Sequence, residues 1–275
     1  MSNTLKILQL KAKQQVYTLL SGGNLSPLRG EGYDFFELRE YQVGDDIRKI
    51  NWSVTAKLGR PYIKETHSNR ELSIVVAALM DGSFYFGKTN NKQKKLTEIA
   101  TILGYACEEQ GNLFSGFCYT QDKYLHTPPT KHLYDISQFS KSLFNLPLLH
   151  TTLDNHASIK SLFKSIHTPS LVFILGDFLE EVDLSILSQK HEVIAIIVRD
   201  AEEETPKKLG EATLTSPKNT QKLKTFFGKS LIKKYLQKLH DHDKKLIKHF
   251  SIYGIRYIKI STDEDVLKKL LTLFT

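Results

Sequence analysis

Leu72-Ser-Ile-Val-Val-Ala-Ala-Leu-Met-Asp81 decides the fold. It is an apolar run without in–out alternation, so both of its faces must be covered, and it ends on a carboxylate. Ser170-Leu-Val-Phe-Ile-Leu-Gly-Asp177 and His191-Glu-Val-Ile-Ala-Ile-Ile-Val-Arg-Asp200 have the same design. Asn112–Thr120 reads as another strand and 255–261 as the last. Between them, 92–110, 131–145, 155–166, 220–250 and 263–274 read as helices, the first with Leu96, Ile99, Ile102 and Leu103 on one side. Buried strands alternating with helices imply an α/β fold, a mostly parallel sheet with helices on both faces, over residues 72–275. Residues 1–71 read as an N-terminal elaboration: an amphipathic helix over Leu5–Leu20, then a small β-rich segment whose short apolar runs are broken by Gly30, Gly32, Gly44, Gly59 and Pro61.

Of 275 residues, 40% are hydrophobic and 25% charged, enough apolar surface to exclude a disordered chain. No apolar run approaches the roughly 20 residues of a membrane-spanning helix. The N-terminal stretch, interrupted by lysines, lacks a secretory core. The expectation is a cytoplasmic chain without a transmembrane segment. Cys107 and Cys118 form no CxxC and read as buried thiols. There is no HExxH, no Cys/His ligand spacing and no GxSxG elbow, so a hydrolase is not supported. Glu202-Glu203-Glu204 reads as a solvated loop, and His240 and His242 as surface histidines.

Ligands of such sheets bind beyond the carboxyl ends of the strands, which directs attention to Asp81, Ser83, Thr151, Thr152 and Asp177. A carboxylate and a hydroxyl on one loop, a threonine from a second and an aspartate from a third are oxygen donors suited to Mg²⁺. The pattern resembles the metal-ion-dependent adhesion site of von Willebrand factor A-like domains, Asp-x-Ser-x-Ser, then Thr, then Asp. Asp81, Ser83 and Asp177 match, Thr151 or Thr152 can fill the threonine role, and Tyr85 replaces the second serine. The same stretch, Gly82-Ser-Phe-Tyr-Phe-Gly87-Lys88-Thr89, also fits GxxxxGK[ST]. That second reading makes the chain a P-loop NTPase using Lys88, Thr89 and Asp177. The bulky Phe-Tyr-Phe stretch and the late start of the following helix argue against it.

Phe36-Glu-Leu-Arg-Glu-Tyr-Gln-Val-Gly-Asp-Asp-Ile-Arg-Lys-Ile-Asn-Trp52 and its continuation to Glu65 carry a more specific pattern. Arg39, Tyr41, Gly44, Asp45, Asp46, Arg48, Ile50, Asn51, Trp52, Ala56, Lys57 and Gly59 occur in the order typical of domain-of-unknown-function family 58, which the segment resembles. The likeness resumes at 193–206 and at the terminal strand and helix. It implies a von Willebrand factor A-like core, association with MoxR-type AAA+ ATPases, and a chaperone-like role in maturing or remodelling other proteins, with no enzyme activity established. Gly44-Asp45-Asp46 reads as a turn and Trp52 as a core anchor; Arg39, Asp45, Asp46, Arg48 and Trp52 are also candidates for docking a partner.

The formal charge is +8, and residues 217–248 hold ten lysines against two acids. Leu223, Phe227, Leu231, Tyr235 and Leu239 recur every four residues, an apolar stripe on the expected helix. Lys229, Lys233, Lys234 and Lys238 form its basic patch. Without arginines or interleaved aromatics, the patch suits nonspecific attraction to an acidic partner, nucleic acid or anionic lipid. The combined expectation is a non-catalytic protein-interaction module, with Mg²⁺ at a degenerate site.

Overall fold

The computed structural model describes residues 36–42, 51–66, 72–86, 91–121 and 124–274, with Leu5, Ile7, Gln9, Leu10, Ala12, Asp45, Ile47 and Ile50. Strand β1 (Phe36–Glu40) pairs antiparallel with β2 (Tyr62–Thr66), and helix α1 (Trp52–Leu58) lies between them in sequence. The main strands follow: β3 (Ser73–Leu79), β4 (Leu113–Tyr119), β5 (Tyr124–Thr130), β6 (Leu171–Gly176) and β7 (Glu192–Arg199). A separate antiparallel hairpin, β8 (Gly210–Thr215) and β9 (Lys222–Phe227), precedes the last core strand, β10 (Arg256–Ser261). The helices among them are α2 (Asn91–Glu109), α3 (Leu133–Phe144), α4 (Asn155–Ser165), α5 (Ser185–Ser188), α6 (Ala201–Glu204), α7 (Lys229–Ile252) and α8 (Val266–Phe274).

The six-stranded sheet has the order β10-β7-β6-β3-β4-β5, parallel except for the edge strand β5. Both faces are packed, as the unbroken apolar runs require. Ile74, Val76 and Ala78 of β3 meet Leu96, Ile99 and Leu103 of α2 on one side. Val75, Ala77 and Leu79 share the other with Ile159 and Leu162 of α4 and with Leu246 and Phe250 of α7. This is the mixed α/β architecture, a mostly parallel sheet with helices on both faces, expected from the sequence. From β3 the chain first builds outward through β4 and then returns to place β6 on the opposite side. The strand order therefore reverses between β3 and β6, and a crevice opens beyond their carboxyl ends.

Three sequence readings need correction. First, the expected helix over 220–250 begins only at Lys229; Lys222–Phe227 is strand β9. A spacing of four is even, so it also keeps residues on one face of a strand, and Leu223 and Phe227 satisfied it without being helical. Gly228 separates the two elements. Second, Trp52 is no core anchor. It opens α1, a seven-residue helix that buries no side chain, and is 69% exposed. Asn51 caps this helix by accepting the Val54 amide, and Gly59 closes it with φ at 72°. Third, Glu202–Glu204 are helical and Glu203 is buried.

β5 went unread because Pro128 and Pro129 discourage a strand; they are tolerated at an edge. Of the expected N-terminal helix, the five described residues are helical, Leu5 and Ala12 are buried, and Gln9 donates to Ser137. The remainder lies outside the described residues.

Candidate functional site

The crevice is built from the ends of β3 and β6. After Met80 the chain leaves the sheet and makes a single 3-10 turn, Gly82–Tyr85. Asp81 caps it, its Oδ1 accepting the Ser83 amide at 2.8 Å. This turn drives Phe84 into the core and aims the Ser83 hydroxyl across the crevice at Asp177. Asp177 follows Gly176 at the end of β6. Its Oδ2 accepts from Ser83 and from the Lys92 ammonium at 2.9 Å, and its Oδ1 accepts the Leu179 amide. Asp81, Ser83 and Asp177 thus share one crevice.

The threonines are not brought in by their hydroxyls. Thr151 donates its hydroxyl to the Leu148 carbonyl at 2.7 Å, and Thr152 donates its own to Gln121. What the threonine loop offers the crevice is backbone: the Thr151 carbonyl accepts the Gly82 amide at 2.9 Å. Gln93 of α2 holds this loop by donating to the Leu143 and Leu146 carbonyls.

Two lysines the sequence reading passed over complete the site. Lys92, near the start of α2, is fully buried. Its ammonium lies 2.9 Å from Asp177 and 2.7 Å from Glu203, with the Phe84 ring 5.3 Å away. Lys218, at the tip of the β8–β9 hairpin, lies 2.6 Å from Asp81 and 2.5 Å from Glu180. The tip rests directly on the 3-10 turn. The Pro217 carbonyl accepts the His150 amide, and a Cβ on Gly82 would stand 2.3 Å from that carbonyl oxygen. Gly82 is the residue that lets the two backbones meet. Alternating charges therefore cross the crevice: Glu180, Lys218 and Asp81 at its mouth, Asp177, Lys92 and Glu203 beneath.

These contacts set the protonation of the group. Burial works to raise the Asp177 carboxyl, but the Lys92 ammonium and the Ser83 hydroxyl outweigh it and hold the acid below its ordinary range. Burial wins at Glu203 and raises it despite the same ammonium. Burial works to lower the Lys218 ammonium, yet its bonds to Asp81 and Glu180 raise it. A Mg²⁺ ion needs an octahedron of oxygens. Here one oxygen of each aspartate already meets an ammonium group and the other accepts a backbone amide, and both threonine hydroxyls point elsewhere. The donor set as arranged does not fit the ion, and the cavity beside it holds about 20 Å³, room for about one water.

Nor do the amides fit a phosphate cradle. Those of Gly82, Ser83, Phe84 and Phe86 each donate to a protein oxygen. Lys88 and Thr89 lie outside the described residues.

The end of β7 is also structural. Arg199 is fully buried and donates to the Phe178 carbonyl and to Asp243 of α7. Asp200 caps α6, whose Glu203 reaches back to the Asp200 amide. In the signature segment, Asp45 accepts the Gln42 amide at 2.8 Å; Gly44 of the expected turn lies outside the described residues. Asp46, Arg48 and the Arg39 side chain lie outside the described residues. Lys229, Lys233, Lys234 and Lys238 are all exposed on α7.

The family model described as "Protein of unknown function DUF58" matches residues 37–245, from the signature strand β1 through the crevice to α7. The chain belongs to the DUF58 family. Among curated proteins it is similar to the uncharacterized proteins Rv1480 of Mycobacterium tuberculosis and Mb1516 of Mycobacterium bovis. Each is 24% identical over 217 residues, 76% of this chain and 68% of theirs. Among solved structures, the conserved hypothetical protein BatB from Bacteroides thetaiotaomicron matches 74% of this chain and 96% of its own. Its TM-score is 0.41 and its identity 10%. Among the described residues of this DUF58 chain, no helix is long and apolar enough to cross a membrane.

Proposed function

We propose that this DUF58 chain is a non-catalytic protein-interaction module, a partner of a MoxR-type AAA+ ATPase in the chaperone-like maturation or remodelling of other proteins. One observation carries the non-catalytic part. The crevice in which doubly wound sheets hold their ligands is filled by the protein's own hairpin tip and two ammonium groups. A closed crevice leaves the exposed surface as the working part. The partner class follows from the family resemblance. A cytoplasmic setting belongs to the same reading, and the buried Cys107 and Cys118, which are not joined in a disulfide, support it.

Co-purification with a MoxR-type ATPase of the same organism, with that enzyme's ATP turnover measured with and without the chain, tests the proposal. A nucleotide-dependent complex with altered turnover is expected. An isolated chain that hydrolyses ATP, and loses this on Asp177→Asn substitution, would refute it.

A further inference from the structure

A groove runs between the N-terminal half of α7 and the segment that leads into β8. Pro206, Ile232 and Leu236 give it an apolar floor, and Lys208, Lys229 and Lys233 stand beside them. The groove measures about 460 Å³, and no carboxylate lines it. Ile232 and Leu236 are one helical turn apart and only half-buried, while the three lysines are exposed. None of these lysines meets a carboxylate among the described residues, in contrast to Lys92, Lys218 and Lys259, each held between two acids. The start of α7 adds to the positive field. Gly228 provides no side-chain cap, so the first-turn amides of a 24-residue helix point outward beside Lys229. Nearby, Leu209 and Phe226 are 60% and 68% exposed.

We propose that this groove docks an acidic, amphipathic segment of a partner protein. Its apolar side chains would lie on Ile232, Leu236 and Pro206, and its carboxylates would meet Lys208, Lys229 and Lys233. Charge complementarity selects the occupant, and the concave apolar floor selects among acidic ones. Single-stranded nucleic acid would call for a succession of aromatic stacking platforms, and the groove lining holds a single ring, His240. A bilayer would call for apolar side chains that project beyond the lysines, whereas the groove's own, Ile232 and Leu236, lie half-buried, and the exposed Leu209 and Phe226 are not part of its lining. The inference rests on the reading of the chain as an interaction module.

The test uses a fluorescent synthetic peptide that forms a helix with leucines on one face and glutamates on the other, titrated with the full chain and followed by anisotropy. Saturable binding is expected, weakened about tenfold or more by the pair Lys229→Glu and Lys233→Glu and also by Leu236→Ser. The control pair Lys160→Glu and Lys164→Glu on α4 should bind as wild type. Circular dichroism establishes that each variant is folded, and Ile232→Ser replaces Leu236→Ser if the latter is not. Absence of binding overturns the groove, as does binding that ignores the apolar substitutions or falls equally with the control pair. So does tighter binding to phosphatidylglycerol vesicles or single-stranded DNA through the same lysines. If the ATPase partner still co-purifies with the Lys229→Glu, Lys233→Glu chain, the interaction module stands and only its surface lies elsewhere.

Discussion

Replacing Lys92 by methionine keeps the length and packing of the side chain and deletes its charge. In the native protein that ammonium bonds two carboxylates, Asp177 at 2.9 Å and Glu203 at 2.7 Å, and is itself wholly shielded from water. Removing one partner of a buried ion pair leaves uncompensated charge in a low-dielectric site and costs roughly 3–5 kcal/mol. For a chain of this size 1 kcal/mol corresponds to roughly 2–4 °C, so a loss of about 4 kcal/mol lowers Tm by roughly 8–16 °C. The assay is thermal and urea unfolding followed by far-ultraviolet circular dichroism. Tryptophan emission is a poor reporter, since the one tryptophan, Trp52, is exposed. Adding Glu203→Gln to Lys92→Met removes one stranded charge and should recover about 1–3 kcal/mol, a coupling measurable in a double-mutant cycle. Lys92→Met as stable as wild type, or no recovery in the double variant, would refute the view that this ammonium neutralises the crevice.

Gly82→Ala pushes a methyl against the Pro217 carbonyl. It should cost about 1–3 kcal/mol in unfolding free energy and increase protease cutting between β8 and β9. For acid unfolding, Asp177 is depressed below its ordinary 3.8. Its contribution is complete above that value and lost as pH falls through the lower folded one, so Asp177→Asn should flatten the wild-type fall in Tm below about pH 4. Glu203, raised by burial above its ordinary 4.5, acts in the opposite sense and above that value: it adds stability as pH falls from its raised folded value to 4.5, so Glu203→Gln should remove that gain and leave the slope below about pH 4 unchanged. In calorimetric titration wild type should take up no Mg²⁺, and Lys218→Met, which uncovers Asp81, should gain affinity. Mg²⁺ binding by wild type would contradict the donor geometry.

The sheet was legible because long apolar runs ending in aspartate have few other uses. Asp81, Ser83 and Asp177 were legible because strand ends locate themselves. The neutralising groups were not. Lys92 reads in sequence as one of a cluster with Lys94 and Lys95, and only the fold, which sets the start of α2 against the end of β6, shows that it is buried on Asp177. Lys218 stood out in no way from the other nine lysines of 217–248, and the hairpin that carries it was hidden by a four-residue spacing that strands and helices share. Trp52 misled because burial is the usual fate of tryptophan, whereas its position is set here by the Asn51 cap.

Holding Asp81 with a lysine on its own hairpin gives the protein a counter-ion that cannot diffuse away. A free cation binds according to its concentration, but a tethered one is present at an effective concentration set by the length of its loop. The mouth of the crevice should therefore be indifferent to chelators and to metal supply. It becomes sensitive instead to events along the chain, such as one cut in the 216–221 turn or acetylation of the Lys218 amine, which removes its charge.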